Sequence, residues 1–176
     1  MVRWLRLPVL TGLLVLALTG CALISPNAAQ GSAQISQASA LQTNPCSLLT
    51  SVQLHQLGVN TSQQQQDVLG SGPACVWSHV PVTQGDQFLG RLVNGPVPGG
   101  TQSASINNMP TTEYTPADLP QETSCVYLVS LASNVTLWAQ YSNPGANLPG
   151  LNHRVACRKA QQAAVSMSST YQTIPR

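Results

Sequence analysis

Residues 125–141 read CVYLVSLASNVTLWAQY, and residues 153–171 read HRVACRKAQQAAVSMSSTY. In the first stretch Cys125, Tyr127, Val129 and Leu131 alternate with other residues, and a turn falls at 132–134. Val135, Leu137, Ala139 and Tyr141 then alternate again. Period-two alternation on both sides of a turn predicts a β-hairpin with one face buried. In the second stretch Ala156, Cys157, Ala160, Ala163, Ala164, Met167 and Tyr171 recur at intervals of three and four. That spacing draws one apolar stripe on a helix, with Arg154, Arg158, Lys159, Gln161 and Gln162 off it. The alanines on the stripe allow a close approach to a sheet.

Outward from this unit, Ala74–Val80 and Gln87–Val93 predict a second hairpin across a turn at Pro81–Asp86. Cys46–Leu49 leads into a helix in which Thr50 and Gln53 match a capping box. Gly58 closes that helix. The polar run from Asn60 to Gly72, with glutamine at 63–66, reads as a loop. Asn94 to Gln121 reads as a long Pro/Gly/Ser/Thr-rich excursion, mobile over one sheet face. The expected fold is α+β, an antiparallel sheet of about four or five strands with an N-terminal and a C-terminal helix packed on it.

The chain begins as an exported one does. Met1–Arg6 is a short basic segment, Leu7–Leu18 is apolar, and small residues follow. An apolar run of that length is too short to span a ~30 Å hydrocarbon layer. Leu18-Thr19-Gly20-Cys21 resembles the lipobox of bacterial lipoproteins, in which a diacylglycerol joins the cysteine sulfur and cleavage occurs before it. With a further acyl chain such as palmitate, residues 1–20 are a signal peptide and Cys21 a lasting lipid anchor. Residues 21–43, uncharged and without apolar period, read as a tether of roughly 25 Å reach. Residues 44–176 then form a single domain on the outer face of the membrane.

With Cys21 lipidated, Cys46, Cys75, Cys125 and Cys157 remain, and an even number in an exported chain points to two disulfides. Of three connectivities, Cys46–Cys75 and Cys125–Cys157 is favoured, because each pair joins a helix to a neighbouring strand. No CxxC or HxxxH spacing supports zinc instead, so no metal and no cofactor is expected.

The chain carries seven Lys/Arg and five Asp/Glu, but Arg3 and Arg6 lie in the leader. Beyond it Arg91, Arg154, Arg158, Lys159 and Arg176 balance Asp67, Asp86, Glu113, Asp118 and Glu122. A neutral chain without a basic face excludes a nucleic-acid binder and a polybasic membrane-surface protein.

The opening Asn44-Pro45-Cys46-Ser47-Leu48-Leu49-Thr50, the Cys75-Val76-Trp77, the strand from Cys125 and the terminal Cys157-Arg158-Lys159-Ala160 resemble the actinobacterial lipoprotein family known as domain of unknown function 3558. The resemblance implies a cell-envelope lipoprotein of a high-GC Gram-positive bacterium. It brings no established activity and no catalytic residues.

Candidate chemistry is sparse. His55, His79 and His153 show no ligand spacing, and read as solvated or packed. His79 and Asp86 could join one of many serines, but no nucleophile elbow accompanies them. Glu113, Asp118 and Glu122 are the only local acidic cluster and read as solvated carboxylates in a loop. Gly99-Gly100 reads as a turn, without the Lys-Ser/Thr of a phosphate cradle. Trp77, Tyr127, Trp138 and Tyr141 read either as a ligand groove or as core. The chain therefore reads as a non-enzymatic binding or interaction module whose partner is an envelope protein or polysaccharide. The alternatives are a carrier of lipid or a small apolar ligand, and an envelope hydrolase.

Overall fold

The computed structural model describes residues 39–65, 72–79, 85–95, 104–114, 116–117, 119–120, 122–145 and 149–173. Seven strands are present: β1 (Thr61–Gln65), β2 (Ala74–Ser78), β3 (Gln87–Asn94), β4 (Ala104–Ile106), β5 (Met109–Tyr114), β6 (Ser124–Ala132) and β7 (Val135–Ser142). They form one sheet in the order β1-β2-β3-β7-β6-β5-β4, and each neighbouring pair is antiparallel. The hairpins β2–β3 and β6–β7 are those the alternation predicts. They meet along β3 and β7, where eight residue pairs run from Gln87↔Ser142 to Asn94↔Val135.

The fold is thus α+β, but the sheet is larger than the four or five strands expected. The polar run after Asn60 is an edge strand, not a loop. All five residues of β1 are exposed, so no apolar alternation marks it. It is held by its backbone ladder to β2 and by the Thr61 hydroxyl, which donates to Ser78 O at 2.8 Å. The excursion expected after Asn94 contains the β4–β5 hairpin at the other edge. Its turn residues Asn107 and Asn108 have φ of 52° and 63°, the left-handed pair that a type I′ turn requires. Asn107 Nδ2 donates to Val165 O and to the hydroxyls of Ser168 and Ser169, at 2.8–3.1 Å, and so fastens this hairpin to the terminal helix.

Two helices are complete within the described residues, α1 (Ser51–Gln56) and α2 (His153–Thr173). α2 carries the predicted stripe, and Ala156, Ala160, Ala163, Ala164 and Met167 are fully buried. Its start is capped by Asn152, whose Oδ1 accepts the N–H of Val155 at 3.1 Å. The N-terminal helix differs from expectation, because none of its residues is buried. The sheet is covered at that end by the 3₁₀ turn Pro45–Leu48, with Leu48 fully buried. α1 instead leans on α2. Gln53 completes the capping box with Thr50, and it also donates from Nε2 to Ser166 O at 2.9 Å and accepts from the Thr170 hydroxyl at 3.0 Å.

The expected disulfides form: Cys46–Cys75 ties the 3₁₀ turn to β2, and Cys125–Cys157 ties β6 to α2. Ring closures of 29 and 32 residues each remove unfolded-state entropy worth about 3–4 kcal/mol. Residues 39–43, assigned from the sequence to the tether, are helical, and Leu41 lies in the core. Residues 22–38 of that tether, the leader and Cys21 fall outside the described residues. No described helix is long and apolar enough to cross a membrane.

The tightest point of the core is Gly90 on β3. A Cβ there would stand 2.8 Å from Met167 Sδ and 2.9 Å from Trp77 Cζ3. Met167 can shift, but the buried indole cannot do so freely. Gly90→Ala should therefore lower stability by about 1–3 kcal/mol through overpacking, read as a lower urea midpoint with unchanged slope. A neutral effect would mean that the helix seats less closely.

Candidate functional site

The sheet has two unlike faces. Cys75, Trp77, Phe88, Leu92, Cys125, Tyr127, Val129, Leu137 and Tyr141 point toward α2 and form the core. The other face carries Val76, Leu89, Arg91, Tyr114, Val126, Leu128, Thr136, Trp138 and Gln140, by strand alternation. Among the described residues no helix packs on that second face, yet Val76, Val126, Leu128 and Thr136 are buried there.

The four aromatic residues singled out from the sequence do not line one groove. Trp77, Tyr127 and Tyr141 are buried on the helix face, while Trp138 is half-buried on the opposite one. Phe88 packs against Tyr141 at 5.4 Å between centroids, as core aromatics do. Trp138 has different company. The Arg91 guanidinium lies 4.6 Å above its ring, Tyr114 meets it edge-on at 5.8 Å, and its Nε1–H donates to Gln140 Oε1 at 3.2 Å. Register explains the cluster, since Arg91 and Trp138 are directly opposed on β3 and β7. Tyr114 is 41% exposed, and neither it nor Arg91 was singled out from the sequence. Their only sequence signal is an alternate position on a strand whose partner had to be known first.

Two polar clusters sit on the helix side. In the first, Asp86 accepts from the Tyr141 hydroxyl at 2.6 Å, from Asn143 Nδ2 at 3.1 Å and from Lys159 Nζ. Lys159 also lies 5.0 Å over the Tyr141 ring. Burial by itself would raise the Asp86 carboxyl. The hydrogen bonds from Lys159 and Tyr141, the Lys159 charge and the Asn143 amide outweigh it and hold the group below its ordinary 3.8. Asp86 thus pins β3, β7 and α2 together.

In the second cluster, Glu113 of β5 accepts the Tyr127 hydroxyl at 3.0 Å and lies 3.5 Å from His153 Nε2. Burial, with the Glu113 hydrogen bond and charge, pushes the Tyr127 phenol up to about 12. His153 Nε2 and Glu113 Oε1 each also stand 3.5 Å from the Cys157 sulfur. Glu113 therefore belongs to the helix face and not to a loop cluster; Glu122 is exposed before β6, and Asp118 lies outside the described residues. His55 and His79 are exposed on α1 and past β2. Gly99 and Gly100 lie outside the described residues.

Surface grooves border the helical residues, among them two lined by described residues. One, of about 650 Å³, lies beside Gln42, Pro73, Leu92 and Val93; the other, of about 470 Å³, runs between Leu57, Arg158, Gln162 and Val165. Neither is lined by the four sequence-selected aromatics.

A family model described as "Protein of unknown function (DUF3558)" matches residues 16–170. No curated protein and no solved structure matches the chain.

The Asp86 pin has a pH signature. Its folded carboxyl titrates below the unfolded one, so its contribution is present above about pH 4 and is lost as pH falls through the folded value. Asp86→Asn should destabilise the chain at pH 7 by on the order of 1–2 kcal/mol, given partial exposure. Denaturant titrations at several pH values should show the gap to wild type narrowing as pH falls below about 4. A gap constant from pH 7 to pH 2.5 would contradict this.

Proposed function

The chain belongs to the family of unknown function DUF3558, and we propose that it is a non-enzymatic binding module whose helix-free sheet face takes an uncharged envelope polysaccharide. The lipobox-like Leu18–Cys21 and the two disulfides support a chain held by lipid on the outer face of the cell membrane, where the compartment is oxidising.

One observation carries the binding reading. Among the described residues Trp77, Phe88, Tyr127, Tyr141 and Tyr171 are sunk in the core, while Tyr114, 41% exposed, shares one cluster on the other face with the half-buried Trp138, Arg91 and Gln140. Aromatic rings offer a flat apolar surface to the aliphatic face of a sugar, and the neighbouring amide and guanidinium supply hydrogen bonds. The neutral balance beyond the leader suits a ligand recognised without salt dependence. The carrier reading is less well supported, because the space between sheet and helix is filled where Gly90, Met167 and Trp77 meet.

Co-sedimentation of the full chain with insoluble cell-wall polysaccharide tests the proposal. Tyr114→Ala and Trp138→Ala together should weaken binding by about tenfold or more, at roughly 1 kcal/mol per ring, with little change between low and high salt. Tyr114→Ala alone, at an exposed position, keeps the test independent of folding. No sedimentation of wild type, or equal sedimentation of both variants, contradicts it.

A further inference from the structure

His153 and Cys157 are one turn apart on α2, so their side chains share a face, and β5 brings Glu113 to the same spot. Glu113 Oε1, His153 Nε2 and Cys157 Sγ form a triangle whose three sides are each 3.5 Å. The centre of such a triangle lies about 2.0 Å from every corner. A cation slightly above its plane meets the ~2.0–2.3 Å bonds that zinc takes with carboxylate oxygen, imidazole nitrogen and thiolate sulfur. The remaining Glu113 oxygen accepts the Tyr127 hydroxyl at 3.0 Å, the kind of outer hydrogen bond that orients a ligating carboxylate. An entry path exists, since the His153 and Glu113 side chains are 46% and 40% exposed.

One corner of the triangle is not a donor as it stands. Cys157 is bonded to Cys125, and a neutral disulfide sulfur lacks the charge that makes cysteine a metal ligand. We propose that two-electron reduction of Cys125–Cys157 converts this cluster into a redox-gated site for a divalent transition-metal ion of the zinc type, held by Glu113, His153 and the Cys157 thiolate. The reductant is a dithiol. It attacks the bond through a mixed disulfide, passes two electrons to the cysteines and leaves as its own disulfide, with both cysteines as thiols. The Cys157 thiol then releases its proton to solvent as the metal–sulfur bond forms. Cys125 stays buried on β6, and the fourth position is left to water. Imidazole, thiolate and carboxylate together suit zinc over magnesium or calcium. The inference is independent of the polysaccharide reading, because the site lies on the opposite side of the sheet.

Cobalt(II) tests it, since thiolate-to-cobalt charge-transfer absorption reports a metal–sulfur bond directly. The full chain is titrated with cobalt anaerobically, before and after treatment with a dithiol, while circular dichroism follows the fold. The reduced chain should bind one cobalt with the charge-transfer band, and the oxidised chain should show no such band. His153→Ala and Glu113→Ala keep every thiol, and each should weaken binding by about tenfold or more. Metal held instead by Cys46 and Cys75 would be untouched by either change, and that outcome overturns the proposal. So does binding without the band, or loss of the fold on reduction with metal present, because the site exists only with α2 seated beside β5. Cys125→Ser should bind cobalt with no reductant at all, and its failure to do so while folded counts equally against the site.

Discussion

Met167 of α2 rests on Gly90 of β3 with the Trp77 indole beside both, and this contact sets the distance between helix and sheet. A side chain at position 90 would meet sulfur and ring at under 3 Å, so the glycine is a spatial requirement. The same closeness needs Ala156, Ala160, Ala163 and Ala164 on the helix, all of them fully buried. Burial of Trp77, Phe88, Leu137 and Met167 between the layers contributes roughly 1.5–3 kcal/mol for each large side chain. The Asp86–Lys159 pair, the Cys125–Cys157 bond and the Asn107 amide then fasten the helix along its length.

Because α2 takes one face of the sheet, the chemistry divides between two sides. On the helix side, carboxylates, phenols and a histidine are drawn into fixed partnerships around the core. On the other side, β3, β5 and β7 present Arg91, Tyr114 and Trp138 from adjacent registers. A cluster built on paired strands is positioned more rigidly than one built on loops, which suits recognition of an extended, repetitive partner.

The parts of the fold legible in the sequence were those where apolar spacing repeats. Alternation from Cys125 to Tyr141 and the three-four spacing from Ala156 to Tyr171 marked the central hairpin and α2. The edges were not legible in that way. Thr61–Gln65 pairs through its backbone and buries no side chain, so hydropathy is blind to it. The β4–β5 hairpin was hidden by its Pro- and Thr-rich surroundings, although Asn107-Asn108 between Ile106 and Met109 is a turn signal. The capping box of α1 was readable because it is local, while its attachment to α2 depends on Gln53 meeting Ser166 and Thr170 across more than a hundred residues. The site residues divide in the same way. The disulfide pairs followed from which elements lie side by side, whereas Arg91, Tyr114 and the Glu113–His153 contact required the sheet order itself.

The claim on which the functional reading turns is that the helix-free face is the binding surface. The most direct measurement is nuclear magnetic resonance of the isotopically labelled chain, titrated with soluble fragments of wall polysaccharide. The expected result is that the Trp138 indole N–H and the backbone amides around Arg91, Tyr114 and Gln140 shift together while those of α2 stay still. Shifts confined to α1 and α2, or none at saturating fragment, would contradict it.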